Sequence, residues 1–306
     1  MSLDQDTLHQ LLDTIRRFVR NRLMPLEEQV ASTDQIPESV ISEMRELGLF
    51  GLTIPEEYGG LGLNTEEECK VAIELGYTSA AFRSVIGTNN GIGSQGLVMD
   101  GTDDQKENYL PRLASGEIIG SFALTEPNVG SDSANVQTKA EKDGDSYILN
   151  GTKRWITNAN IANLFTVFAR TDQSQKGSSG VSAFLVDANT PGISLSSKYK
   201  KMGQQGAHVC DVIFDNCRVP EVNIIGGPNN VNNGFKTAMK TLDRGRIHIS
   251  AFAVGCAKRL IEVSTQFSLE REQFGQSISN FQMIQAMLAE SQTECYAAET
   301  LSLIHI

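Results

Sequence analysis

The sequence predicts an α+β chain in three parts. An N-terminal helical domain is expected over residues 1–115, a central antiparallel β-domain over 116–225, and a C-terminal helical domain over 226–306. Three observations predict this. Apolar residues recur at helical spacing in the first 115 residues. From 116 to 225, short apolar, β-branched and aromatic runs alternate with turn residues. From Phe235 the helical period returns. At 306 residues the chain is long enough for two or three domains with a substantial core.

Leu8, Leu11, Leu12, Ile15, Phe18, Val19 and Leu23 define the first helix, which Pro25 is expected to end. Pro37 suits the first turn of a second helix carrying Val40, Ile41, Met44 and Leu47, with Gly48 past its end. Asn64 can cap a third. Glu66, Glu67 and Glu68 then fall in its first turn and read as solvated surface matched to the helix dipole. Gly91-Ile92-Gly93-Ser94-Gln95-Gly96 has the spelling of a dinucleotide motif. It lies among helices, outside any strand–turn–helix unit, so a Rossmann site is rejected.

In the strand-rich part, Asp143-Gly144 and Asn150-Gly151 read as two-residue turns, which makes 146–149 and 152–157 strands. Further strands are expected at 164–169, 181–186 and 209–214. A polar loop at 173–180 joins the first two of these, and a polar linker at 229–234 leaves the β-domain. Helix is then expected from Phe235 to Phe274, broken by Gly275. Ser279 with Gln282 forms a capping-box pattern for a last helix.

Composition narrows the function. Hydrophobic residues are 40% and charged residues 21%, as in ordinary globular proteins, and the net charge is −11. That balance excludes the clustered basic footprint of a nucleic-acid binder. No apolar run reaches the roughly 18 residues of a membrane span. The N-terminus carries neither a secretory pattern nor an Arg-rich presequence, so a cytoplasmic location is expected. The five cysteines are scattered and read as free thiols in a reducing compartment. His9, His208, His248 and His305 show no metal-ligand spacing, so no metal is expected; His208 reads as a local structural residue.

The chemistry concentrates between Gly116 and Ala159. Side chains alternate along a strand, so Trp155 and Thr157 should share a face. A large flat ring and a hydroxyl so placed suit a flat heteroaromatic ligand. Thr125 offers a second hydroxyl, and Gly130-Ser131 a backbone free to approach closely. The competing reading is that Trp155, the single tryptophan of the chain, is simply core.

Ala-Leu-Thr-Glu-Pro-x-x-Gly-Ser-Asp over 123–132 and Asn-Gly-x-Lys-x-Trp-Ile-Thr-Asn over 150–158 resemble the flavin and substrate signature of the acyl-CoA dehydrogenase family. Pro55-Glu56-Glu57-Tyr58-Gly59-Gly60, Lys201-Met202-Gly203, Leu242-Asp243-Arg244-Gly245-Arg246 and Arg271-Glu272-Gln273-Phe274-Gly275 resemble further family motifs, so the likeness covers nearly the whole chain. It departs at Ala207, where the family often has Ser. The resemblance implies FAD as cofactor, with Phe122, Leu124, Thr125, Trp155 and Thr157 lining its isoalloxazine ring. Arg271, Phe274 and Gln282 would reach FAD bound mainly to a neighbouring subunit. Ser131 would contact the CoA part of an acyl-CoA substrate, with Asp243 and Arg246 nearby.

The implied reaction is α,β-dehydrogenation of a saturated acyl-CoA to the 2,3-enoyl-CoA, with an electron-transferring flavoprotein as acceptor and a homotetramer as the assembly. Return of the electrons to oxygen would instead make an acyl-CoA oxidase. A non-catalytic fragment that binds flavin or acyl-CoA without turnover is the non-enzymatic reading. The resemblance implies that the C-terminal helical bundle over 226–306 is incomplete, and that the catalytic Glu of most of the family lies beyond the point where this sequence stops. In the long-chain and isovaleryl branches it lies just before the motif arginine, and that position here is Gly245, so the catalytic residue is left unassigned. The last residues, 301–306, are abruptly apolar and resemble a translated adapter, so the native sequence is expected to end near Thr300.

Overall fold

A computed structural model describes residues 3–304, with side chains to Leu301. Helices α1 (Gln5–Phe18), α2 (Glu27–Thr33), α3 (Glu38–Glu46), α4 (Thr65–Leu75), α5 (Ala80–Thr88), α6 (Gln95–Asp100) and α7 (Asp103–Ser115) come first. Strands β1 (Gly120–Ala123), β2 (Lys139–Asp143), β3 (Ser146–Thr157), β4 (Leu164–Arg170), β5 (Val181–Asp187), β6 (Ile193–Leu195) and β7 (Val209–Pro220) follow. Then come α8 (Gly234–Glu270), a small hairpin of β8 (Glu272–Gln273) and β9 (Gln276–Ser277), and α9 (Gln282–Ile304). This is the expected order of helices, strands and helices. The reading of 301–306 as an adapter reaches His305 and Ile306, which lie outside the described residues. The chain packs as two compact units. One takes the stretch ending at Glu28, Asn64–Ser79 and the stretch from Arg246; the other takes Gln29–Leu63 and Ala80–Gly245.

In the first unit, Asp4 caps α1 by accepting from the Thr7 N–H at 2.9 Å. Pro25 does not end the helical path. It sits in the first turn of a short 3₁₀ segment that leads into α2, where its missing N–H breaks no bond. Asn64 and Glu67 cap α4 reciprocally. Of the acidic run only Glu66 is solvated surface: Glu67 and Glu68 are only 4% and 2% exposed. The packed face of α4 passes through both, and each finds a partner there. Glu67 accepts from the Leu3 N–H at 2.8 Å, and Glu68 meets His248 Nδ1 at 2.7 Å. Helix α8 stops four residues before Phe274. Phe274 and Gly275, both at positive φ, instead form the two-residue turn of the β8–β9 hairpin. The expected capping box does not form either, since α9 begins at Gln282 itself and the Ser279 hydroxyl pairs with that of Ser277.

The second unit holds a seven-stranded sheet, ordered β1-β4-β2-β3-β7-β6 with β5 also on β4. It is antiparallel at β2/β3, β3/β7, β4/β5 and β6/β7, as expected, but parallel where β1 and β2 meet β4. Asn150-Gly151 is not a turn. β3 runs straight through it, and the register shifts there. A Cβ on Gly151 would lie 2.6 Å from Thr138 Oγ1, so this glycine serves close approach rather than reversal. β7 likewise continues to Pro220, past its expected end. One buried cluster, including Tyr147, Leu149, Ile156, Phe184, Val212 and Phe214, packs on the sheet. A second, including Leu110, Leu113, Phe122, Phe168, Leu185 and Ala238, joins sheet and helices.

A buried ion pair ties β3 to the segment after β1. Lys153 Nζ lies 2.7 Å from Glu126 Oε1, and the two residues are 0% and 4% exposed. Lys153 also reaches the Leu124 carbonyl at 3.3 Å. Glu126 accepts from the Gln137 and Thr138 N–H groups and from the Thr138 hydroxyl, so the charges are hydrogen-bonded as well as paired. Burial pulls the Lys153 ammonium down to about 8 against the attraction of Glu126. Burial pushes the Glu126 carboxyl up, but Lys153 and the surrounding donors together hold it below the ordinary carboxylate value.

Lys153→Met strands a buried carboxylate and should cost about 3–5 kcal/mol by denaturant unfolding. The double change Glu126→Leu with Lys153→Met should recover most of that loss. Because the folded value of Glu126 is depressed, its contribution is complete above the ordinary carboxylate pKa and is lost as pH falls through the folded value. The double variant should therefore show a flatter acid limb below about pH 4.5 than the parent chain. In the first unit, α4 and α8 cross glycine on glycine. A Cβ on Gly255 would lie 2.0 Å from the Ile73 carbonyl, and one on Gly76 2.4 Å from that of Phe252. Gly255→Ala should cost about 1–3 kcal/mol in a thermal or denaturant melt, although alanine favours helix.

Candidate functional site

The site is built where β3 leaves regular geometry. Lys153 pairs with Val212 and Ile156 with Cys210, so β3 carries one residue more than β7 across this stretch. Trp155 adopts φ +55 there, a left-handed conformation that costs a bulky aromatic about 1–3 kcal/mol. Its indole is 58% exposed, whereas the next residue, Ile156, is 2% exposed in the core. The single tryptophan is therefore not core. Thr157 is partly exposed, so ring and hydroxyl both lie off the face that takes Ile156.

The other residues are brought to this end of β3 by backbone ties. The Arg154 N–H donates to the Thr125 carbonyl at 2.7 Å, and Ser121 Oγ donates to the Thr157 carbonyl at 2.6 Å. Reciprocal bonds between Glu126 and Val129 close a tight turn over Pro127-Asn128. Beyond it Ser131 stands exposed. Phe122 and Leu124 are 9% and 5% exposed and offer little surface; the Phe122 ring packs 4.8 Å from that of Phe168. Asn158, at φ +63, ends the strand and anchors it by donating from Nδ2 to the Ser84 carbonyl at 2.9 Å. A pocket of about 260 Å³ adjoins Thr157, lined by Ser84, Lys201, Gln204, Ala207 and Val209. Sequence reasoning missed Ser84. Lys201 was legible only as part of a quoted motif. Burial holds its ammonium below the ordinary lysine value, and it donates to the Gln204 carbonyl at 2.7 Å.

A second hollow of about 770 Å³ runs along the first turns of α8, lined by Ser179, Asn232, Phe235, Met239 and Asp243 among others. One wall is the 173–180 loop, and Arg170 holds that loop in place. Its guanidinium donates to the carbonyls of Gln175, Gly177 and Ser179 on one side and of Ala134 and Val136 on the other, at 2.8–3.2 Å. The sequence carried no signal for this arginine. Gly245 closes the second unit's share of α8. A Cβ there would touch only Ile92 Cγ2, at 3.4 Å. Arg246, Arg271, Phe274 and Gln282 belong to the other unit and are exposed there, Phe274 at 93%.

Against known proteins, three family models match in succession. The acyl-CoA dehydrogenase N-terminal domain covers residues 5–117, the middle domain 121–217 and the C-terminal domain 232–304. A probable acyl-CoA dehydrogenase, YngJ, of Bacillus subtilis is 40% identical over 291 residues, 95% of this chain and 76% of that protein. A 3-(aryl)acrylate reductase of Clostridium sporogenes is 37% identical over 294 residues, 96% and 77%. Among solved structures, one described as an electron transferring flavoprotein of Acidaminococcus fermentans superposes with a TM-score of 0.93 at 37% identity, covering 99% of this chain and 78% of that one. A glutaryl-coenzyme A dehydrogenase in complex with glutaryl-CoA gives 0.91 at 34%, covering 99% and 76%. A glutaryl-CoA dehydrogenase from Mycobacterium smegmatis in complex with FADH2 gives 0.89 at 32%, covering 98% and 75%. With all three domains matched in order and the two signature blocks meeting around the Trp155 bulge, this chain belongs to the acyl-CoA dehydrogenase family.

Proposed function

We propose that this chain carries the flavin and acyl-CoA binding parts of an FAD-dependent acyl-CoA dehydrogenase that converts a saturated acyl-CoA to its 2,3-enoyl-CoA. The observation that carries the reading is the exposed indole of Trp155, held on a strained bulge with the part-exposed Thr125 and Thr157 beside it. A flat aromatic face flanked by hydroxyls fits a flat heteroaromatic ring, and the FADH2 complex of a family member supports FAD as that ring. In this reading Trp155 packs against the ring, Thr125 and Thr157 hydrogen-bond it, and Phe122 and Leu124 back the site from the core. When bound, FAD supplies the acceptor for the hydride that leaves the substrate β-carbon.

Ser131, Asp243 and Arg246 orient the acyl-CoA, consistent with Asp243 lining the hollow beside α8. Arg271, Phe274 and Gln282 contribute to FAD on a neighbouring subunit of a homotetramer, and a separate electron-transferring flavoprotein takes the electrons onward. The three-part division at 1–115, 116–225 and 226–306 and a cytoplasmic location complete the reading. The reaction also needs a carboxylate to remove the α-proton, desolvated so that its pKa rises toward the working range. None of the 306 residues is assigned that role.

The test is an anaerobic visible spectrum of the purified chain with FAD, before and after a saturated acyl-CoA is added. Bound flavin that stays oxidised is the expected result, and failure to bind FAD at all would sink the reading. Thr157→Ala should weaken FAD binding about 3–10-fold, the scale of one lost hydrogen bond. Gly245→Glu places a carboxylate where a side chain meets only Ile92 at ordinary contact distance. It should convert the unchanged spectrum into one that bleaches on adding acyl-CoA. Bleaching by the unaltered chain would mean that a base stands among these residues after all.

A further inference from the structure

We propose that Asp211 is a positioning residue for the ring-binding face: its carboxylate holds the Arg154-Trp155 bulge of β3 in the conformation that turns the indole outward. The proposal rests on the flavin reading for its functional meaning, while the geometry stands without it. A bulge leaves its extra residue outside the ladder, and a bulky side chain at positive φ relaxes unless something over-determines it. Asp211 lies on β7 between Cys210, which pairs with Ile156, and Val212, which pairs with Lys153. It therefore faces the extra residue directly.

Both carboxylate oxygens are used. Oδ1 accepts from the Trp155 N–H at 3.4 Å and from the Tyr199 hydroxyl at 3.1 Å. Oδ2 accepts from Arg154 Nε at 3.3 Å, from Arg154 Nη2 at 3.2 Å and from the same Tyr199 hydroxyl at 3.1 Å. The bond to Asp211 is the main reason that the Arg154 guanidinium is held above its ordinary value. Asp211 is itself fixed. It is 7% exposed, its N–H donates to Ser196 Oγ at 2.8 Å, and its carbonyl accepts from the Ser196 N–H at 3.0 Å. The Arg154 backbone also donates to Thr125, so one dipeptide is gripped from both sides. Asp211 thereby sets the ring of Trp155 and, through Arg154, the place of Thr125. An amide at this position would turn an NH2 group toward Arg154 or toward the Trp155 N–H and lose one of the two sets of bonds.

The chain has one tryptophan, so its fluorescence reports on this bulge alone. The experiment compares the full 306-residue chain with Asp211→Asn, Asp211→Ala and Tyr199→Phe. Far-UV circular dichroism serves as the folding control, time-resolved Trp155 anisotropy as the local readout, and FAD titration as the functional one. Expected are an unchanged fold, at least a doubling of the fast-motion amplitude of Trp155 in both Asp211 variants, and about 10-fold weaker FAD binding. Tyr199→Phe, which deletes only a hydroxyl, should shift both readouts in the same direction by less. If Asp211→Ala does not fold, the near-isosteric Asp211→Asn decides. Unchanged anisotropy in a folded Asp211 variant overturns the proposal. Looser Trp155 with FAD affinity intact overturns the positioning role. If the parent chain binds no FAD, the flavin reading fails separately, and the anisotropy still reports whether Asp211 holds the bulge.

Discussion

The contact on which the second unit depends is the buried pair of Lys153 and Glu126. Two charges 2.7 Å apart, almost wholly removed from water, are tolerated because Glu126 accepts three further hydrogen bonds and Lys153 donates also to the Leu124 carbonyl. Glu126 brings in the backbone of Gln137 and Thr138, while Lys153 brings in Leu124. One interaction thus joins the segment after β1, the approach to β2 and the middle of β3. The residues proposed to bind the ring lie on both sides of it: Thr125 one position before Glu126, Trp155 two after Lys153. A hydrophobic pair of equal volume could hold these segments together, but it would not fix their register as a hydrogen-bonded charge does.

Around that pair the structure uses charged side chains to hold backbone that no ladder holds. Arg170 gathers five carbonyls from two loops, and Asp211 gathers three donors from a bulge and one from Tyr199. In each case a planar, multivalent group replaces the regular pairing that the backbone has given up. Of the irregular segments so held, the 173–180 loop lines the hollow beside α8. The sheet supplies the frame, and a few ionic side chains supply its departures from regularity.

How much of this was legible follows from range. Asn64 directly precedes the helix it caps, so that cap could be read directly. The hairpin at Gly144, the strands at β4 and β5, and the motif residues were also local in sequence. Asn150-Gly151 misled because its turn chemistry is real, yet the same freedom at Gly151 serves a close approach to Thr138 that no local pattern shows. Glu67 and Glu68 misled because their partners, Leu3 and His248, lie 64 and 180 residues away. Arg170 and Asp211 were invisible for the same reason: neither belongs to a motif, and their partners come together only in the folded sheet. Trp155 was legible as chemistry but not as conformation, since alternation along a strand cannot anticipate an extra residue.

That extra residue has a consequence for how a ligand would arrive. The left-handed backbone of Trp155 is braced on both sides by hydrogen bonds within the protein itself. The ring face is therefore a standing surface, not one assembled on contact. A molecule that stacks on it meets a wall already in place and need not wait for a rearrangement, so capture would be governed by diffusion and orientation, and selectivity by what fits against a plane that does not yield.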